Sequence, residues 1–161
     1  MNITPEKTTD AVRAAVEAAI PGERIYVDVT PENFQRPCSL VELVKLELDT
    51  RSLGRSLVGL RYQYKLTTFS EVDQVHNSHL PVLDLRAMAL LGAFASGYVP
   101  VEDRAMQVTA LTADTSLYDC AVVTLALELA VAREAYCPAE LLPAMRELST
   151  RYITKEETNH E

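Results

Sequence analysis

Residues 57–69, LVGLRYQYKLTTF, alternate without a break. Val58, Leu60, Tyr62, Tyr64 and Leu66 fall on one face, and Gly59, Arg61, Gln63, Lys65 and Thr67 on the other. Successive side chains of a strand point to opposite faces, so this pattern predicts a half-buried strand of an antiparallel sheet. A helix would scatter the polar positions around its circumference. A one-residue slip in register would turn the whole apolar set to solvent. The run 38–48, CSLVELVKLEL, places Leu40, Val44, Leu46 and Leu48 on one face. Its other face carries Val41 and Leu43, then Lys45 and Glu47. It predicts a strand buried on both sides early and on one side later. A shorter strand is predicted at 24–29, where Ile25, Val27 and Val29 alternate with Arg24, Tyr26 and Asp28.

Two segments have helical spacing. Thr4 can cap a first helix, with Pro5 at its first position and Glu6 in its first turn. Val12, Ala15, Val16, Ala19 and Ile20 form its apolar stripe, and Pro21-Gly22 ends it. A second helix is predicted at about 79–96, capped by Ser78 or Asn77, with Pro81 in its first turn. Leu83, Ala87, Leu90, Leu91 and Phe94 make its apolar face, widened by Leu80 and Met88, and Gly97 suits its C-terminal cap. Strands follow near 104–112 and 117–131. ALELAVAREA in the latter also contains good helix formers, so a helical continuation stays open. PAELLPAMRELSTRYI predicts a third helix.

These elements predict an α+β fold in the order α-β-β-β-α-β-β-α. It is a mainly antiparallel sheet of about five strands with helices packed on one face. At 161 residues the chain suits one domain, 1–154, with a frayed tail at 155–161. Hydrophobic residues make up 48%, enough to exclude a disordered chain. The net charge of −8 argues against gripping the outside of a nucleic-acid duplex, because that needs cations to neutralise phosphates. Three widely spaced cysteines, Cys38, Cys120 and Cys137, are neither a disulfide framework nor a zinc pattern. They read as buried free thiols in a reducing compartment. There is no secretory leader pattern, and charges interrupt every apolar stretch long enough to cross a membrane, so a cytosolic protein is expected.

Candidate chemistry is sparse. Gly54 and Gly59 lack phosphate-loop spacing. His76 and His79 form an H-x-x-H pair, with Asp73 and Asp84 in range, but no further ligand completes a set. Glu102, Asp103, Asp114 and Asp119 flank strand ends, where carboxylates serve turns more often than acid–base catalysis. Ser39, Ser52, Ser56 and Ser116 lack a nucleophile elbow. Nothing supports a dyad of Cys38 with His76 or His79 beyond their residue types. No catalytic residue, metal or cofactor is predicted. One cluster stands out in an acidic chain. Arg51 and Arg55 lie in the hairpin 49–56, with Lys45, Arg61 and Lys65 on the adjoining strands. It reads either as a partner contact or as a solvated strand face.

The segment IYVDVTPENFQRPCSLVEL joins a short strand to Asn33-Phe34, and then to Arg36-Pro37 opening a strand of the form R-P-C-x-x-V-E-L. The tyrosine-bearing RYQYKL, an apolar helix, two more strands and a C-terminal helix follow. In this order and spacing, over about residues 8–150, the chain resembles the tail terminator family of long-tailed bacteriophages and related prophage elements. Members carry a phrase like G-F-K-R-P. This chain has Asn33 at the glycine position, and its last long strand is richer in Ala and Leu. The resemblance implies a structural protein without bond chemistry. Such a protein caps the tail tube as a ring, commonly a hexamer, and is monomeric until the tube templates it. It would meet the tail tube protein on one side and the head-side connector on the other, while DNA passes through the bore without sequence-specific binding. It would reside in the virion neck after assembly in the host cytoplasm, with no membrane involved. Asp49, Arg51, Arg55, Arg61 and Lys65 are the expected subunit or tube contacts. The alternatives are a head-completion protein of the same neck, or an unrelated small α+β binding module.

Overall fold

The computed structural model describes residues 3–29, 32–49, 56–75 and 77–132. Helix α1 spans Pro5–Ala19 and α2 Leu80–Ala93. The strands are β1 Arg24–Val27, β2 Cys38–Asp49, β3 Leu57–Phe69, β4 Tyr98–Val101, β5 Arg104–Asp114 and β6 Ala121–Ala132. They form one six-stranded sheet in the order β1-β2-β3-β6-β5-β4. Two compact units divide the chain: Met1–Leu48 with Leu60–Leu129, and Asp49–Gly59 with Ala130–Glu161. Both helices and the core described below belong to the first. In the second, the described residues are the ends of β2, β3 and β6 with Ser56.

This architecture corrects the expectation of about five mainly antiparallel strands in the order α-β-β-β-α-β-β-α. The sheet is mixed, because β1 runs parallel to β2, with Arg24 opposite Cys38 and Val27 opposite Val41. Alternation within a strand reports its faces and says nothing of its direction, so this pairing is invisible in the pattern. The extra strand is β4. Pro100 argues against a strand in sequence, but β4 lies at the sheet edge, where proline is tolerated. Val99 and Val101 are buried, and β4 turns into β5 through Glu102-Asp103, with Val101 opposite Arg104. β6 starts at Ala121 rather than 117, because Leu117–Cys120 form a turn closed by the Cys120 amide on the Leu117 carbonyl (3.0 Å). The predicted third helix lies outside the described residues.

The cross-strand contacts fix which way the faces point. Ser39 Oγ meets Thr68 Oγ1 (3.2 Å), and Glu42 pairs with Lys65 (3.6 Å). Residue numbers rise along β2 as they fall along β3, so these strands run antiparallel. Tyr64 bonds Thr9 of α1 at 3.0 Å, and Thr68 accepts from Arg86 of α2 at 2.8 Å. Both helices therefore cover the face of Leu60, Tyr62, Tyr64, Leu66 and Thr68, all of which are buried. Glu42, Lys65 and Arg61 occupy the opposite face.

α1 begins as its sequence dictates: the Thr4 hydroxyl accepts the Lys7 amide (3.4 Å) and Pro5 starts the helix. Val12 and Val16 are fully buried, as are Leu83 and Leu90 of α2. Each such side chain contributes roughly 1.5–3 kcal/mol. α2 departs from expectation in its cap. His79 holds the N-cap position and makes no side-chain capping bond, while the hydroxyl of Ser78, the expected cap, bonds Asp119. Gly97 adopts φ +80° in the turn leading to β4, a conformation that a side chain would strain. β2 also differs. Val44, Leu46 and Leu48 were expected to be buried but are 52%, 50% and 40% exposed, and they lie on the face away from the helices.

Candidate functional site

Two arginines organise the polar interior around the start of β2. Arg36 precedes β2, joined to Pro37 by a cis peptide. Its guanidinium donates to both Asp119 carboxylate oxygens (3.0 and 2.9 Å) and to Ser78 Oγ (3.2 Å). It also lies over the rings of Phe34 and Phe69, at 5.4 and 4.9 Å from their centroids. Ser78 in turn donates to Asp119. One planar cation thus ties together the segments leading into β2, α2 and β6. A planar fork suits this role, because it forms a bidentate ion pair while its flat faces stack. Arg36 and the Ser78 hydroxyl hold the Asp119 carboxyl below its ordinary value, against an opposing effect of partial burial.

Arg86 of α2 is the buried counterpart, 9% exposed. It forks onto both oxygens of Glu23, donates Nε–H to Thr68 Oγ1 (2.8 Å) and reaches the Cys38 carbonyl (3.4 Å). The helical position of residue 86 follows from the α2 pattern. Its burial does not, because an arginine flanked by Leu85 and Ala87 reads as a solvent-facing break in an apolar helix. The i, i+4 relation of Leu83 to Ala87 and of Arg86 to Leu90 places Arg86 on the covered side.

A cleft of about 490 Å³ lies beside Arg86, between the loop 70–79 and the start of α2. Pro37, Val72, His79 and Val82 supply its walls, with Glu71 and Asp73 as its carboxylates. The Asp73 carboxylate accepts the amides of Val75 and Asn77, which shapes the loop. Arg86, the arginine on its described wall, is committed to Glu23. Burial pushes the Cys38 thiol up, with Arg36 and Arg86 only partly opposing, which disfavours the thiolate that nucleophilic chemistry needs. Burial also raises the Cys120 thiol. Cys137 and His76 lie outside the described residues. Among the described residues, no cluster of three or more His, Cys, Asp or Glu side chains could hold a metal ion.

Among the carboxylates singled out in sequence, Asp119 is held by Arg36 as described, Asp114 shapes its own turn and Glu102 joins α1. Asp114 accepts from the amide and hydroxyl of Ser116, which hold its carboxyl below the ordinary value. Glu102 pairs with Lys7 at 2.5 Å. Of the expected contact residues, Arg51 and Arg55 lie outside the described residues, and Asp49 is half-buried at the end of β2. Arg61 and Lys65 do share a face of β3, but each sits beside a carboxylate. Arg61 meets Glu128 at 2.8 Å and Lys65 meets Glu42 at 3.6 Å, while Lys45 pairs with Glu47 at 2.8 Å. The basic cluster is therefore a ladder of mixed charge.

Sequence reasoning missed the outward side of α2. Leu85 and Met88 are 71% and 65% exposed, three residues apart, and Val82 continues the stripe. The available signal was the near absence of polar residues around this helix: Asp84 and Arg86 are its charged positions, and Arg86 points inward. No helix among the described residues is long and apolar enough to cross a membrane. The chain matches no protein-family model and no curated protein.

Proposed function

We propose that this chain is a virion assembly protein of the tail-terminator type. It caps the tail tube as a ring, most simply a hexamer, and presents its other side to the head connector. DNA passes through the bore without sequence readout. The protein performs no bond chemistry and needs no cofactor, and its place of action is the neck of the virion.

The exposed apolar stripe of α2 carries this reading. A helix that is apolar around most of its circumference belongs in an interior. Here Val82, Leu85 and Met88 remain in solvent, as expected of a surface that a neighbouring subunit or the tube covers. The resemblance along residues 8–150 supplies the identity of that assembly. The neutralised ladder of Arg61, Lys65, Glu42 and Glu128 fits a wall that DNA slides past better than one that grips phosphates.

The test is electron microscopy of particles made without the protein. Overlong tails support a terminator, whereas full heads without tails assign the chain to the head-completion step instead. Complementation with Leu85→Asp/Met88→Asp should fail to restore tail length while the purified variant stays folded. Restoration at the level of the unmodified chain would remove the α2 stripe from the argument.

A further inference from the structure

The cleft beside α2 has walls fixed by the fold. Its loop, 70–79, is closed on itself: Val72 bridges Ser78 in antiparallel fashion, and the Asp73 amide donates to the Asn77 carbonyl (3.0 Å). At the base of the loop, the Ser70 hydroxyl donates to the Glu71 carbonyl (3.0 Å) and accepts the His79 amide (3.2 Å). Ser78 is held in turn by Arg36 and Asp119. These bonds hold the loop in shape, so binding needs little further ordering, which is where preformed sites gain affinity. The volume of about 490 Å³ lies within the usual range of ligand pockets.

The lining combines two kinds of surface. Pro37, Val72 and Val82 form an apolar wall, and both valines keep more than a third of their surface in solvent. Glu71 brings a carboxylate with which no described side chain pairs. A carboxylate beside apolar walls suits a side chain that is apolar along its stem and cationic at its tip, as lysine and arginine are. Val82 also belongs to the α2 stripe, so the wall of the cleft continues onto Leu85 and Met88 at helical spacing.

We propose that the cleft and the α2 stripe together bind a peptide segment of another protein, one that sets a lysine or arginine against Glu71 and apolar side chains on Val82 and Leu85. Charge decides between this partner and a second copy of the chain. A copy carries a net charge of −8, so it is repelled from a cleft whose unpaired group is a carboxylate, whereas a basic segment is drawn to it. A contact of this size belongs to the weak, transient class. The proposal stands on the cleft and does not rest on the ring reading. If that reading also holds, the segment belongs to the tube protein or the connector and not to a neighbouring subunit.

A library of short random peptides displayed on yeast, selected against the full chain, tests it. The selected sequences should carry Lys or Arg within a few positions of Leu, Ile, Val or Phe. A synthetic peptide of the most enriched sequence, followed by fluorescence anisotropy, should bind Glu71→Gln roughly tenfold or more weakly and Glu71→Lys not measurably. Leu85→Ser should weaken it roughly fivefold or more. Both positions are exposed, so the circular dichroism of each variant should match that of the unmodified chain. Selection of no peptide, of acidic peptides, or of basic peptides that Glu71→Gln binds as tightly overturns the proposal. Self-association of the chain that Glu71→Lys abolishes assigns the cleft to a second copy and also overturns it. A chain that sets tail length yet selects no basic peptide leaves the ring reading standing and overturns this proposal. A chain that selects such peptides through Glu71, while its loss leaves tails normal, does the reverse.

Discussion

Replacing Arg86 with methionine would leave the Glu23 carboxylate beside α2 without its guanidinium. The Arg86 and Glu23 side chains are 10% and 15% exposed, so solvent screens the pair little. Removing one member of such a buried pair typically costs about 3–5 kcal/mol, because the remaining charge keeps its desolvation penalty and loses its partner. The Thr68 hydroxyl loses one bond but keeps its contact with Ser39. The net stability of a domain is about 5–15 kcal/mol, so the loss is a large share of it. With a urea slope of about 2 kcal/mol/M, the midpoint should fall by roughly 1.5–2.5 M. The informative variant is Arg86→Met/Glu23→Met. If the single-variant cost is an orphaned charge, the double variant should be destabilised by less than the sum of Arg86→Met and Glu23→Met, by about 1–3 kcal/mol of coupling. Urea unfolding followed by circular dichroism measures the unmodified chain, Arg86→Met, Glu23→Met and the double variant. An Arg86→Met cost below about 1 kcal/mol, with the double variant simply additive, would refute the reasoning and assign the pair to the solvated surface.

Burial pushes the Tyr64 hydroxyl up to about 12, with Thr9 opposing. The folded form therefore resists ionisation, so stability is intact below about pH 10 and falls between about 10 and 12. A spectrophotometric titration should show a late-ionising tyrosine step, and Tyr64→Phe should reduce it by one group. Asp119 is shifted the other way. Its contribution is present above the ordinary carboxylate range and is lost as pH falls through its lowered value, so Asp119→Asn should flatten the acid limb of stability. Its carboxylate is mostly exposed, which limits the neutral-pH cost to about 1 kcal/mol or less. Arg36→Lys should cost about 1 kcal/mol in thermal unfolding, since an ammonium keeps the charge but loses the fork and the stacking on Phe34 and Phe69; an unchanged melting temperature would show that neither contributes.

Where local spacing carries the information, sequence and structure agree. Thr4 and Pro5 start α1 because a cap and a fixed φ are local properties, and β3 spans Leu57–Phe69 because ten alternating positions admit one period. The apolar run of β2 shows the limit. Val44, Leu46 and Leu48 carry a buried-strand pattern, yet nothing local states whether a layer lies over that face. The candidate site was less legible still. Arg36, Ser78 and Asp119 are 83 residues apart at their extremes, and no spacing rule links them. Arg86 reads as a surface residue until Glu23, 63 positions earlier, is brought beside it.

By itself, the sequence determined the two helices, the long strands and the capped start of α1, because each depends on neighbours within a few residues. It also determined that no local motif assembles a phosphate loop or a nucleophile elbow. The tertiary structure alone decided the parallel pairing of β1 with β2, the edge strand β4, the burial of Arg86 and the exposure of α2 and the end of β2. Each of these depends on which face another element covers, a property of the assembled layers that no period along the chain encodes.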